Sequence, residues 1–178
     1  FCIEHNFTFY DLREHTGLMR NLMIRNTRKG DWMVNVIFAK DEPDNRELLL
    51  NAISQKFNPH ALNYCINEKL NDSTFDQTFI SYKGNFEIQE ELNGLKFNIS
   101  PKSFFQTNPV QAEKLYEVAL NFAEISKNDV VYDLYCGTGT ITCLAASRAK
   151  KAIGVEIIDE AIQAAKINAS INDITNVE

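Results

Sequence analysis

Apolar and polar residues alternate with period two between Gly17 and Phe38. Trp32, Val34, Val36 and Phe38 fall on one side, Met33, Asn35 and Ile37 on the other, and R-K-G-D interrupts the run. That pattern predicts a β-hairpin. After Pro43 the stretch N-R-E-L-L-L-N-A-I-S changes to helical spacing, with Leu48, Leu49, Ala52, Ile53 and Phe57 expected on one face and Asn58-Pro59 as the stop. Strands are expected from Ala61 to Asn67 and from Thr78 to Lys83, with a polar loop between them. Phe86 to Glu91 and Leu95 to Ile99 flank Asn93-Gly94, a dipeptide suited to a two-residue hairpin turn. The first region, residues 1–84, therefore reads as a small α+β domain with largely antiparallel pairing.

Beyond Ser100-Pro101 the pattern becomes helix, strand, helix, strand, helix, the alternation of a parallel α/β sheet. Asn108 is placed to cap a helix that begins at Pro109, with Gln111 completing a capping box. Leu115, Val118, Ala119 and Phe122 are its expected apolar face, and Ser126 to Asp129 its end. Val130, Val131 and Leu134 form the run expected of a parallel strand covered on both faces. Ile141 to Ala149 reads as a short apolar helix and Lys151 to Val155 as a second strand. A last helix is expected from about Asp159 to Asn172, with Ile158, Ala161, Ile162, Ala165 and Ala169 along its core-facing stripe. Residues 85–178 are thus expected to open a Rossmann-like α/β domain.

The candidate chemistry sits where the first of these strands meets its helix, in V-V-Y-D-L-Y-C-G-T-G-T, Val130 to Thr140. Gly137 and Gly139 permit backbone conformations and close ligand approach that a Cβ would block. Glu156 stands at the tip of the second strand, roughly the ~20 residues past the turn at which a ribose-binding carboxylate is expected. A dinucleotide site wants a third glycine, and Thr142 occupies that place. S-adenosylmethionine has no phosphate to cradle and keeps the ribose carboxylate. With Asp133 just before the turn, it is favoured over a dinucleotide, and a purely structural turn is the third reading.

Composition narrows the class. With 44% apolar and 24% charged residues the chain is that of a globular protein. No stretch is apolar enough to span a bilayer and the first seven residues do not form a signal peptide, so the cytoplasm is the expected compartment. Cys2, Cys65, Cys136 and Cys143 form no C-x-x-C pair and no metal-ligand spacing, and no metal is expected. Cys136 reads as a small buried thiol rather than a nucleophile. A net charge of −6 gives no support to binding by phosphate neutralisation. Locally, Arg13, Arg20, Arg25, Arg28 and Lys29 stand against Glu14 alone, which reads either as a basic ribbon or, slightly favoured, as a solvated hairpin face.

S-P-K-S-F-F-Q-T-N-P, Ser100 to Pro109, adds a loop in which two phenylalanines and two amides could stack on a base and bond its edge. As ordinary residues, Phe104 and Phe105 would be core plugs and Gln106 a loop brace. This segment, D-L-Y-C-G-T-G-T, G-V-E-I-I-D-E-A-I-Q-A-A-K-I-N-A, and upstream H-T-G-L-M-R-N-L-M-I-R together closely resemble the RNA uracil-5-methyltransferase family, which modifies uridines in 23S ribosomal and transfer RNA. The resemblance runs from about Phe9 to the last residue.

The resemblance implies a central domain followed by the N-terminal half of a Rossmann-like class I methyltransferase domain, with S-adenosylmethionine as cofactor and RNA, ribosomal rather than transfer RNA, as partner. It implies that Gln106 contacts the cofactor and lies near the target uracil, that Tyr135 is the aromatic cofactor contact, and that Glu156 binds the ribose hydroxyls. Gly137, Gly139 and Thr140 line the same site, and Phe104 is a candidate base-side wall. The family's chemistry adds a cysteine thiolate to uracil carbon 6, lets carbon 5 take the methyl group, removes the carbon-5 proton with a general base and expels the cysteine. None of the four cysteines here stands in the nucleophile motif. That motif, the base, an oligonucleotide-binding barrel and any iron–sulfur cysteine cluster are expected outside these residues. The 178-residue chain is accordingly expected to be a fragment, inactive and of marginal solubility alone. The alternatives are a non-catalytic RNA-binding or assembly protein that keeps the fold and, less favoured, a nucleotide-dependent oxidoreductase.

Overall fold

A computed structural model describes residues 1–178. The chain divides into two units, Phe1–Ile88 with Ser100–Lys102, and Gln89–Ile99 with Ser103–Glu178.

The first unit is built on a four-stranded sheet of β1 (Met19–Asn26), β2 (Trp32–Phe38), β3 (Ala61–Ile66) and β4 (Ile80–Gly84), in that order. β1 and β2 form the expected antiparallel hairpin. β3, however, runs parallel to β2, because α1 (Pro43–Phe57) returns the chain to the same end of the sheet before β3 begins. The expectation of largely antiparallel pairing holds for β1–β2 and β3–β4 and fails for this middle pair.

Period two decides what each face of β2 meets. Val34, Val36 and Phe38 pack with Leu49 and Leu50 of α1, Leu62, Phe7 and Leu18, while Ile37 joins Cys65 and Phe79 on the other face. The buried side of α1 is Leu49, Leu50 and Ser54, whereas Leu48 and Phe57 are exposed. The expected stripe was displaced by one residue because L-L-L offers three apolar choices to a helix that buries two. Asn35 and Asn63 are cross-strand neighbours and fully buried, and Asn63 Nδ2 donates to Asn35 Oδ1 at 3.0 Å and to the Phe86 carbonyl at 3.1 Å.

Two arginines of the basic cluster prove to be structural. The Arg20 side chain is 1% exposed and lies over the Tyr10 ring; its guanidinium donates to the carbonyls of Asn67, Lys69 and Asn71 and pairs with Asp72. It therefore holds the 67–72 loop by its backbone, as a planar fork with five donors can. Half-buried Arg25 donates to the Pro101 carbonyl at 3.2 Å. Only Arg13, Arg28 and Lys29 of the five are exposed, so neither a continuous ribbon nor a wholly solvated face describes the cluster.

The second unit begins with the hairpin of β5 (Ile88–Leu92) and β6 (Leu95–Ile99). Asn93 and Gly94 both take positive φ, 50° and 78°, as a type I′ turn requires. α2 (Pro109–Phe122) starts on the Asn108 side chain, which accepts from the Gln111 amide at 3.1 Å. β7 (Val130–Asp133), α3 (Thr140–Ala146), β8 (Lys151–Gly154) and α4 (Asp159–Ile171) follow, with β7 and β8 parallel in register from Val130–Lys151 to Asp133–Gly154. A parallel bridge between Ala152 and Val177 continues the pairing on the far side of β8.

Two expected faces are corrected here. α2 buries Ala112, Tyr116 and Leu120, spaced four apart, and leaves Leu115, Val118, Ala119 and Phe122 exposed. The helix carries two apolar stripes, and the one that reaches the Phe97, Leu92 and Ala145 cluster is the one with the bulky, partly polar tyrosine. Within these 178 residues β7 is covered on one face only, with Val130, Tyr132 and Leu134 exposed at 47%, 62% and 60%. α3 also stops at Ala146, short of Ala149, where the Ser147 hydroxyl takes the Leu144 carbonyl at 2.7 Å.

Candidate functional site

The glycine turn is tied to both strands. After β7 the Val155 amide donates to the Asp133 carbonyl at 2.8 Å, and the Cys136 amide donates to the Val155 carbonyl at 3.1 Å. The chain thus stays zipped to the end of β8 until it enters the turn. The two glycines then serve different needs. Gly137 has φ +53°, and a Cβ there would meet nothing within 4 Å, so its surroundings are open to a ligand. Gly139, at φ +80°, caps α3, and a Cβ on it would come within 2.9 Å of Ala165 Cβ on α4. Gly137 leaves room, and Gly139 allows packing.

Glu156 closes the other side. Its Oε1 accepts from the amides of Ile157 and Ile158 at 2.8 and 3.0 Å, and its Oε2 accepts from the Gly137 amide at 3.1 Å. The Ile158 amide is the largest of the influences that hold this carboxyl below its ordinary value, helped by those of Ile157 and Gly137. A carboxylate kept ionised at the tip of the strand suits two hydroxyl donors.

Thr142, in the place of the third glycine, donates its hydroxyl to Asp133 Oδ2 at 2.8 Å. The close approach of helix and strand is supplied by Gly154 on β8 instead, where a Cβ would lie 2.9 Å from Cys136 Sγ and 3.1 Å from Thr142 Oγ1. Burial above all, and then the Asp133 and Glu156 carboxylates, push the Cys136 thiol upward. Two carboxylates beside one turn repel a pyrophosphate and favour a ligand that brings hydroxyls and positive charge. Burial raises Cys65 and Cys143 to about 11, so none of these three thiols is activated as a thiolate. No group of three or more His, Cys, Asp or Glu side chains could hold a metal ion, and no helix is long and apolar enough to cross a membrane.

The S-P-K-S-F-F-Q-T-N-P segment splits its aromatic pair. Phe105 packs on Phe97, ring centroids 6.3 Å apart, whereas Phe104 is 77% exposed. Gln106 is half-buried and its amide bonds the Tyr116 hydroxyl; burial pushes that phenol up, the Gln106 bond opposes this, and nearby Asp133 adds to it. Tyr116 is thus the partner of Gln106 on α2, a role not read from the sequence, although its spacing of four from Ala112 and Leu120 falls on the buried stripe. Tyr135 is 91% exposed beside the turn, and Thr140 is buried as the first residue of α3. Glu156 and Gly137 therefore meet directly, Gly139 and Thr140 start the adjoining helix, and Tyr135 and Phe104 present open rings.

Residues 15–178 match the family described as tRNA (Uracil-5-)-methyltransferase. An uncharacterized RNA methyltransferase of Porphyromonas gingivalis is 46% identical over 99% of this chain and 38% of its own length, and one of Bacteroides thetaiotaomicron is 43% identical over 99% and 40%. The crystal structure of the Pyrococcus abyssi tRNA (uracil-54, C5)-methyltransferase in complex with S-adenosyl-L-homocysteine superposes with a TM-score of 0.79 at 25% identity, covering 99% of this chain and 43% of that one. The chain thus spans about two fifths of the length of these relatives. On the match that runs from His15 to its last residue, it belongs to the RNA uracil-5-methyltransferase family.

Proposed function

We propose that this chain carries the cofactor site of an enzyme that methylates carbon 5 of uracil in RNA. S-adenosylmethionine is the cofactor, and when bound it supplies an electrophilic methyl group on a positively charged sulfur. The observation that carries this reading is the ionised Glu156 held against the Gly137 amide at the tips of two parallel strands, with Asp133 as a second carboxylate beside the same turn. Glu156 accepts from the ribose hydroxyls, Gly137, Gly139 and Thr140 line the turn, and Tyr135 offers its exposed ring to the cofactor. Gln106, braced on Tyr116, reaches both cofactor and target base, and Phe104 walls the base.

The RNA target is ribosomal, 23S RNA in particular, and the enzyme works in the cytoplasm. The activity named for the Pyrococcus abyssi protein favours transfer RNA as the second reading. Residues 1–84 form the central domain, whose exposed Arg13, Arg28 and Lys29 support a contact with RNA. Residues 85–178 open the methyltransferase domain, and the nucleophilic cysteine and the base come from outside the chain. Titration of the full-length protein with S-adenosylhomocysteine and, separately, with NADH tests the cofactor assignment. One-site saturation by the former alone is expected, and binding of NADH without S-adenosylhomocysteine would return the site to the oxidoreductases.

A further inference from the structure

Asn168 lies on α4 and is fully buried. Both ends of its amide are used. Nδ2 donates to the Thr138 carbonyl at 2.9 Å, and Oδ1 accepts from the Asn98 amide at 2.9 Å. Thr138 is the residue between the two positive-φ glycines, and Asn98 is on β6, the strand that leads into the segment carrying Gln106. A turn further along α4, Asn172 accepts from the Lys96 amide at 2.8 Å and donates to the Lys96 carbonyl at 2.6 Å. Asn172 is therefore a second tie between this end of α4 and β6. What Asn168 adds is the bond to the glycine turn.

A turn with two left-handed residues can swing its middle peptide, and with it the Gly137 surroundings that a ligand must meet. A buried amide that fixes the middle carbonyl prevents this, and leaving that carbonyl unpaired in the interior is unfavourable. We propose that Asn168 is a positioning residue, which locks the glycine turn to β6 so that the turn and the Gln106 segment are set for the cofactor together. The proposal rests on the cofactor reading above.

The test uses the full-length protein with variants Asn168→Asp and Asn172→Ala. An ionised carboxylate at 168 still accepts from Asn98 but gives Thr138 no donor, and because burial favours the protonated acid, whose hydroxyl could donate, the titration is run at neutral pH and again at about pH 9. Calorimetric titration with S-adenosylhomocysteine should show Asn168→Asp binding on the order of 10-fold more weakly, the equivalent of one lost buried hydrogen bond. Asn172→Ala should lower the melting temperature without changing the affinity of the folded protein. Wild-type affinity in folded Asn168→Asp would reduce Asn168 to a structural brace and overturn the proposal. A second measurement needs no variant. Amide hydrogen exchange of wild-type residues 95–99 should slow when S-adenosylhomocysteine saturates the protein, and unchanged exchange there would also overturn it. A wild-type protein that does not bind S-adenosylhomocysteine would contradict the cofactor reading itself, and the proposal would fall with it.

Discussion

Glu156→Ala is expected to weaken S-adenosylhomocysteine binding by about 100-fold, which corresponds to the loss of two charge-assisted hydrogen bonds to ribose hydroxyls. The same change removes the acceptor of the Gly137 amide and of the Ile157 and Ile158 amides just before α4, so the turn loses its partner as well as the ligand. Glu156→Gln keeps the size and one acceptor, and should cost about 10-fold. The pH dependence has a definite sign. The folded carboxyl titrates below its ordinary value of 4.5, so its contribution is complete above that value and disappears as pH falls through the lower, folded one. Affinity should be flat from neutral pH down to the ordinary carboxylate range and decline only beneath it. Calorimetry across that range checks both statements, and an unaltered dissociation constant in Glu156→Ala would remove Glu156 from the site.

The second large effect is on stability. Gly17 has φ +117°, and a Cβ there would lie 2.3 Å from the Phe9 carbonyl oxygen, 2.5 Å from its carbon and 2.8 Å from Tyr10 Cα. All three are backbone atoms, so no rotamer change relieves the overlap. The crossing they belong to is closed by the amides of Leu18 and Met19 donating to the Thr8 carbonyl at 3.0 and 2.9 Å, and by the Tyr10 amide donating to Met19. Gly17→Ala therefore opens the entry to β1 and exposes buried Leu18, a loss of about 3–5 kcal/mol from strain and overpacking combined. Gly30, in the β1–β2 turn, provides the control. It too has positive φ, at +89°, but a Cβ there meets nothing within 4 Å, and Gly30→Ala should cost only about 1–2 kcal/mol. Urea denaturation of the two variants should separate them clearly, and equal midpoints would show that the Phe9–Gly17 crossing is not as tight as described.

The parts of this fold that were legible in the sequence are those fixed by local chemistry. Asn93-Gly94 demanded a type I′ turn, Asn108 and Gln111 marked the first turn of α2, and the glycine pair after β7 announced a strand-to-helix turn, each because few residues can do those jobs. The proximity of Glu156 to that turn followed from spacing alone. What was not legible depends on partners distant in sequence. α1 and α2 both offer more apolar residues than they bury, and only the sheet or the Phe97 cluster decides which stripe turns inward. The parallel pairing of β2 with β3 depends on where α1 delivers the chain. Arg20 looked like a surface charge until its carbonyl partners, some fifty residues away, came into place. Tyr116 and Asn168 read as one more aromatic and one more polar residue on their helices, because their bonds run to other elements.

Tritium release from RNA labelled at uracil carbon 5 tests the central claim most directly, because replacement of that hydrogen by a methyl group frees the label. Full-length protein would be assayed on ribosomal and on transfer RNA, with and without S-adenosylmethionine, beside the 178-residue chain as a control. Release that requires S-adenosylmethionine and appears only with the full-length protein is predicted, from ribosomal RNA first. No release from either RNA by a folded protein that binds the cofactor would contradict carbon-5 methylation and favour a non-catalytic RNA-binding role, and methylation of RNA by the 178 residues alone would contradict the placement of nucleophile and base outside them.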